Sequence, residues 1–170
     1  MAFKIKLYAK GIEEYSLSTV VFGNFMMFLW IGLGTRAIWF FSPLIAQIYL
    51  AIALIMVYVV LRKLVCTNCY YYDKWCSIGW GKLSAFLFKK GKVEDFANSL
   101  GIKLAPVTYG LLSLIPIILI LVSIWQGFSI SKALVLILLL SISAYSGSIG
   151  RKKSCANCKM KLICPGCAAK

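Results

Sequence analysis

Four runs of this sequence carry no Lys, Arg, Asp or Glu: Tyr15 to Thr35 (21 residues), Ala37 to Leu61 (25), Leu104 to Ser131 (28) and Ala133 to Gly150 (18). Crossing a hydrocarbon core of about 30 Å takes roughly 17–25 apolar residues as helix. The first two runs, with Arg36 between them, form a 47-residue stretch, or about 70 Å as a single helix at ~1.5 Å per residue. That is about twice a bilayer core, so the stretch folds back once, and the second pair behaves the same way. Glycine turns easily and a charge is costly in the membrane interior, so the first reversal is expected at Gly32-Leu33-Gly34-Thr35-Arg36. The second is expected at Gln126-Gly127-Phe128-Ser129, ahead of Lys132. The chain is 61% hydrophobic and only 14% charged, whereas soluble domains average about 25% charged. The expected fold is an all-α membrane protein with four transmembrane helices arranged as two duplicated hairpins.

The basic residues are distributed as unevenly as the apolar ones. Lys4, Lys6 and Lys10 precede the first run. Eight more lie between the hairpins (Arg62, Lys63, Lys74, Lys82, Lys89, Lys90, Lys92, Lys103), and six follow the last run (Arg151, Lys152, Lys153, Lys159, Lys161, Lys170). With four crossings these segments share one face, and only Arg36 and Lys132 remain for the other. The positive-inside rule then places both termini and the central loop in the cytoplasm, with the protein in a cell membrane, inner or plasma. The net charge of +14 is read as setting topology and meeting anionic headgroups, not as a nucleic-acid footprint. No cleavable signal peptide is expected, since the first apolar run is too long and lacks a small-residue cleavage site. The lipid bilayer is the expected partner; a homo-oligomer or a membrane complex stays open.

These boundaries divide the chain into an N-terminal segment 1–14, hairpin 15–61, a cysteine loop 62–103, hairpin 104–150 and a cysteine-rich tail 151–170. Phe3, Ile5 and Leu7 alternate with Lys4 and Lys6 along the expected interface. Trp30 and Trp39 are expected as interfacial anchors, as are Tyr70-Tyr71-Tyr72, Trp75 and Trp80. Within the loop, Leu83, Phe86 and Leu87, then Val93, Phe96, Ala97 and Leu100, recur at helical spacing, with Gly101 as a stop. They predict two short amphipathic helices on the membrane surface. Pro116 predicts a kink near Leu112. Ser141, Ser143, Ala144, Gly147 and Ser148 supply small residues for close helix packing. Asp73, Glu94 and Asp95 are expected as solvated partners of the lysines.

One phrase occurs twice. Arg62-Lys63-Leu64-Val65-Cys66-Thr67-Asn68-Cys69 returns as Arg151-Lys152-Lys153-Ser154-Cys155-Ala156-Asn157-Cys158, each time directly after a hairpin. A third cysteine follows at nearly the same distance, Cys76 or Cys164, and the tail adds Cys167. Five matching positions after equivalent hairpins predict an internal duplication about an axis along the membrane normal.

On a reducing cytoplasmic face disulfides are disfavoured, and Cys-x-x-Cys pairs can grip one metal ion. Flanking lysines are expected to lower the thiol pKa values. Cys155, Cys158, Cys164 and Cys167 supply the four ligands of a closed tetrahedral zinc site. Cys66, Cys69 and Cys76 supply three, leaving the fourth to Asp73, water, the other repeat or a substrate. Zinc and an iron–sulfur cluster both remain open from the ligand set. The absence of histidine removes the commonest general base, and no enzymatic constellation is present. The expectation is a membrane protein whose cytoplasmic cysteine metal site joins two hairpins. The alternatives are a redox subunit with an iron–sulfur cluster and a thiol-based carrier of soft metal ions, for which Met26, Met27 and Met56 are the soft side chains within the spans.

The stretch from Cys66 through Tyr70-Tyr71-Tyr72, Cys76 and Gly79-Trp80-Gly81-Lys82-Leu83, with the second cysteine cluster at the end, resembles a group of small prokaryotic integral membrane proteins with no assigned activity. The resemblance covers the loop and tail and implies no mechanism. A fainter similarity, through Cys164-Pro165, is to the four-helix ferredoxin-type membrane subunits of respiratory electron transfer.

Overall fold

A computed structural model describes residues 7–169, and among them the regular structure is helical, apart from one isolated bridge. Four helices are long and apolar enough to cross a membrane: α1 (Leu17–Trp39), α2 (Pro43–Asn68), α4 (Leu100–Gln126) and α5 (Ile130–Ala156). Only the short α3 (Trp80–Leu87) intervenes. The chain is thus a multi-pass membrane protein. α1 touches all three other spanning helices, and Ala37, Ile38, Ala46, Ala53, Val57, Ile120 and Leu139 are completely shielded in the bundle. Small alanines at these depths let the helix backbones approach closely.

The first reversal lies later than the glycines suggest. α1 continues through Gly32 and Gly34 to Trp39, and α2 opens at Pro43 behind Ser42 in extended conformation. A proline in the first turn forfeits no helical hydrogen bond, so Pro43 marks the start better than glycine marks the stop. Gly34 serves packing: a Cβ there would come within 2.7 Å of the Tyr49 hydroxyl. Arg36 remains in the last turn of α1, 4.7 Å from the Phe40 ring centroid. The second reversal falls where expected, between Gln126 and Ile130. There Lys132 Nζ donates to the Ser123 and Gly127 carbonyls, both at 2.7 Å, capping the end of α4 with a cation as its dipole favours.

Pro116 does not interrupt α4. Lacking an N–H, it leaves the Leu112 carbonyl without its helical donor, a defect that normally invites a bend. The Tyr49 hydroxyl, reaching across from α2, donates to that carbonyl at 2.8 Å. Tyr49→Phe is expected to destabilise the bundle by about 1–3 kcal/mol, the cost of stranding a buried carbonyl, as read by unfolding in detergent. Trp30 likewise leaves its expected interfacial place: it is buried, with Nε1 donating to Ser143 Oγ at 3.2 Å.

Near the cysteine segments, α2 and α5 each widen into a π-helical stretch, Met56–Val60 and Tyr145–Gly150. Both then resume as α-helix into the Arg-Lys-x-x-Cys phrase, so Cys66 directly follows a helical turn and Cys155 lies within one. Of the two amphipathic helices expected in the loop, the first is α3 and the second is reduced to a 3-10 turn at Val93–Asp95. Gly101 is no stop but lies inside α4, whose start at Leu100 packs against Leu64 and Val65. The alternating Phe3 to Lys6 lie outside the described residues.

Candidate thiol centre

The two cysteine segments fold alike. In the loop, the Cys69 N–H donates to Cys66 O (3.3 Å), Tyr72 N–H to Cys69 O (3.0 Å) and Lys74 N–H to Tyr71 O (3.0 Å). In the tail, Cys158 N–H donates to Cys155 O (3.2 Å), Lys161 N–H to Cys158 O (3.1 Å) and Ile163 N–H to Met160 O (3.0 Å). Every donor and acceptor in the second set lies 89 positions after its counterpart. The sulfur environments correspond too. The Tyr71 N–H hydrogen-bonds the Cys69 sulfur, and the Met160 N–H bonds that of Cys158. The tail has a further turn at Cys164 to Cys167, whose N–H donates to Cys164 O at 3.2 Å.

The segments also meet, and Tyr71 is the join. It is buried, not part of an exposed aromatic belt. Its hydroxyl donates to Ile12 O (2.5 Å) and accepts from the Lys159 N–H (3.2 Å), the amide following Cys158. The segment before α1 straps the same junction. Ile12 N–H donates to Asn157 O (2.9 Å), Tyr15 N–H to Trp75 O (2.9 Å), and Tyr15 Oη to Ser154 O (3.0 Å). The described part of this segment thus pairs with the tail, including a parallel bridge between Ile12 and Cys158. Farther along the loop, Asn24 of α1 donates to Ile78 O at 2.7 Å.

Each segment carries an arginine four residues before its first cysteine, the spacing of neighbours on one helix face. Arg62 is buried, with Nε donating to Val57 O (2.6 Å), Nη1 to Cys66 Sγ (3.3 Å) and Nη2 to Tyr109 Oη (3.3 Å). Its guanidinium lies 3.4 Å from the Trp80 ring centroid, which explains why Trp80 is buried and not interfacial. Among the described residues, the ion pairs are Lys82–Asp73 (3.0 Å) and Lys159–Glu13 (3.6 Å), so no carboxylate serves Arg62. Arg151 makes a different contact, Nη2 donating to Gly166 O at 2.5 Å between Cys164 and Cys167. The sequence phrase flags both arginines, but nothing local to Arg62 announces its burial.

Burial, not the flanking lysines, governs the thiols. It pushes Cys69 upward, offset partly by the Tyr71 N–H and reinforced by the Cys66, Cys76 and Cys158 thiols. Cys158 is pushed up to about 11 by burial first, against the Met160 N–H, with Cys155, Cys164 and Cys167 adding to the rise. This reverses the expected depression: the lysine ammonium groups act through solvent, whereas desolvation penalises the thiolate directly. A raised folded value favours the protonated state, so the stabilisation is present below the ordinary thiol range near 9 and is lost as pH climbs through about 11. Metal-free, reduced protein should accordingly lose stability between pH 9 and 11. Cys158 should alkylate more slowly than a small-molecule thiol at pH 8, as read by mass spectrometry.

The structure forms no disulfide among the described residues. Cys155 and Cys167 share a hydrogen bond, and Cys76 Sγ accepts from the Trp80 N–H at 3.2 Å. Among the described residues, no three Cys, Asp or Glu side chains stand together in ligating geometry. The backbone turns bring the two segments together without clustering three of these side chains among the described residues. Asp73, considered as a fourth ligand, is engaged by Lys82. Met26, Met27 and Met56 are each half-buried. Compared with family models, curated proteins and solved structures, the chain has no match.

Proposed function

We propose that the protein is a non-enzymatic membrane module in which cytoplasmic cysteine segments bind a soft metal, zinc or an iron–sulfur cluster, and thereby join two duplicated helical hairpins. The observation that carries this reading is the matched pair of cysteine turns, hydrogen-bonded alike and joined through Tyr71. Amide N–H groups aimed at the Cys69 and Cys158 sulfurs offset part of the cost that burial places on a thiolate there. Cys155, Cys158, Cys164 and Cys167 hold the closed tail position, and Cys66, Cys69 and Cys76 contribute from the loop. When bound, the metal would cross-link segments already joined through Tyr71. The rest of the chain holds this junction in place: Tyr71 pins the loop to the tail, Asn24 pins the loop to α1, and Arg62 anchors the end of α2. The basic segments lie on the cytoplasmic side of a cell membrane against anionic headgroups. The exposed Phe86 and Leu87 of α3 enter the interface.

Anaerobic purification followed by elemental analysis and absorption spectroscopy tests the reading. Stoichiometric metal is expected, with unfolding shifted to lower temperature when a strong chelator removes it. Metal-free protein whose cysteines all alkylate under reducing conditions would refute it. A brown preparation with charge-transfer absorption would identify the metal as an iron–sulfur cluster, and only its reversible bleaching by a reductant would favour the redox-subunit alternative.

A further inference from the structure

On the side of the bundle that carries the cysteine segments, the end of α2 and the start of α4 enclose a cavity of about 410 Å³. Both helices overrun a hydrocarbon core of about 30 Å, since 26 and 27 residues give about 40 Å of helix. Their ends, and the cavity between them, therefore stand at headgroup depth. Close packing fixes the walls. A Cβ at Gly101 would come within 2.7 Å of the Leu64 backbone, so α4 starts hard against α2. The Gly91 N–H, bonded to Thr67 O at 3.1 Å, holds the loop before Val93–Asp95 against the Cys66–Asn68 turn.

The polar groups of this cavity are unanswered within the chain. Lys63 and Asp95 both line it, yet they do not pair with each other, and neither takes part in the ion pairs found among the described residues. Ser99 occupies the N-cap of α4, where a serine hydroxyl usually accepts a first-turn amide. Here it makes no capping bond; its Oγ is shielded from solvent and has no hydrogen-bond partner among the described residues. A buried hydroxyl left in that state calls for a further partner. The first turn of α4 holds no acidic residue, so the positive end of its dipole is uncompensated from within the helix. Asn68 and Asn98 add side-chain amides, and Leu64 with the exposed Leu100 forms an apolar wall.

We propose that this cavity binds the headgroup of a phospholipid that carries a primary amine, a phosphoethanolamine, drawn from the adjoining leaflet. The phosphate takes Lys63, the Ser99 hydroxyl and the amide end of α4, and the ammonium takes Asp95. A cation and an anion that line one cavity without pairing match a ligand that carries both charges. A headgroup with phosphate alone would satisfy Lys63 but set its charge beside Asp95. A choline headgroup has the positive charge but no N–H to donate to the carboxylate. Leu64 and Leu100 give the glycerol and the first methylenes an apolar surface. Binding there requires no metal at the cysteines.

The test is native mass spectrometry of the full chain in detergent, titrated in turn with dihexanoyl phosphatidylethanolamine, phosphatidylcholine and phosphatidylglycerol, and with inorganic phosphate. One ethanolamine lipid per chain is expected, held about tenfold or more tighter than the choline or glycerol lipid, the effect of one hydrogen bond to a charged group. Lys63→Met should weaken all three lipids. Asp95→Asn should erase the preference for ethanolamine over choline. Both side chains are exposed, so neither substitution disturbs packing. The comparison of lipids on the wild-type chain depends on no variant. Equal retention of the three lipids, or none retained, would overturn the site. A preference for phosphatidylglycerol that Asp95→Asn leaves unchanged would reduce it to charge attraction and overturn the role of Asp95. Displacement of the lipid by inorganic phosphate at equal concentration would make the ligand a free phosphate and overturn the lipid assignment.

Discussion

Replacing Arg62 by Met is expected to destabilise the metal-free bundle by about 3–5 kcal/mol. The guanidinium is buried and spends its donors on Val57 O, Cys66 Sγ and Tyr109 Oη while stacking on Trp80. Methionine fills much of the volume but leaves a buried carbonyl and a phenol hydroxyl without their donor, at about 1–3 kcal/mol each. It also removes a desolvated cation–π contact of about 2 kcal/mol. Relief of guanidinium desolvation offsets part of the sum. Lysine should not rescue, since one ammonium cannot reproduce a planar fork that faces three acceptors and a ring together. Unfolding in detergent gives the stability, and maleimide labelling of Cys66 reads the local opening. Labelling rates and stability equal to wild type would show that Arg62 has no such role.

Gly81→Ala should be as damaging for a different reason. A Cβ at this position would overlap the carbonyl oxygens of both Tyr71 and Lys74, which are backbone atoms of the cysteine turn. Neither can swing away as a side chain could, because Lys74 N–H is bonded to Tyr71 O and Asp73 N–H to Gly81 O. Asp73 is already in left-handed conformation, with φ 61°. The turn must open or α3 must lift off, at a cost of about 3 kcal/mol or more, toward the upper end of overpacking penalties. The spanning helices should survive, so helicity by circular dichroism stays near wild type. Cys69 and Cys76 should label faster, and the Tyr71 contact to Lys159 should be lost. Unchanged labelling would mean that the loop tolerates the methyl group without moving.

These two sites differ in how visible they are from the residues alone. The arginine stands inside a repeated phrase, so its position is conspicuous, but its burial depends on Trp80, Tyr109 and Val57 arriving around it. Gly79-Trp80-Gly81 is equally conspicuous as a pattern. The demand for glycine at position 81 arises only because a turn ten residues earlier lies against it. Tyr71 is the plainest case of a hidden role. In a run of three tyrosines beside basic residues, an interfacial belt is the sensible expectation, and only the approach of Lys159 and Ile12 shows which of the three faces inward.

What the sequence determined by itself is the membrane character, the number of long apolar helices and the pairing of the cysteine segments with the helices that precede them. Those properties are sums over contiguous residues: hydropathy accumulates along a run, charge accumulates at its edges, and a repeated phrase is visible without folding anything. The tertiary structure alone decided where α1 ends, how α4 accommodates Pro116, and that the loop, the tail and the segment before α1 share one junction. Each of these turns on a polar atom finding a partner far away in the chain. Pro116 announces that the Leu112 carbonyl loses its donor, but not that Tyr49, on another helix, will supply it. Arg62 and Tyr71 follow the same logic, because which unmet hydrogen bond or charge is answered by which distant group is a property of packing, and local composition does not encode it.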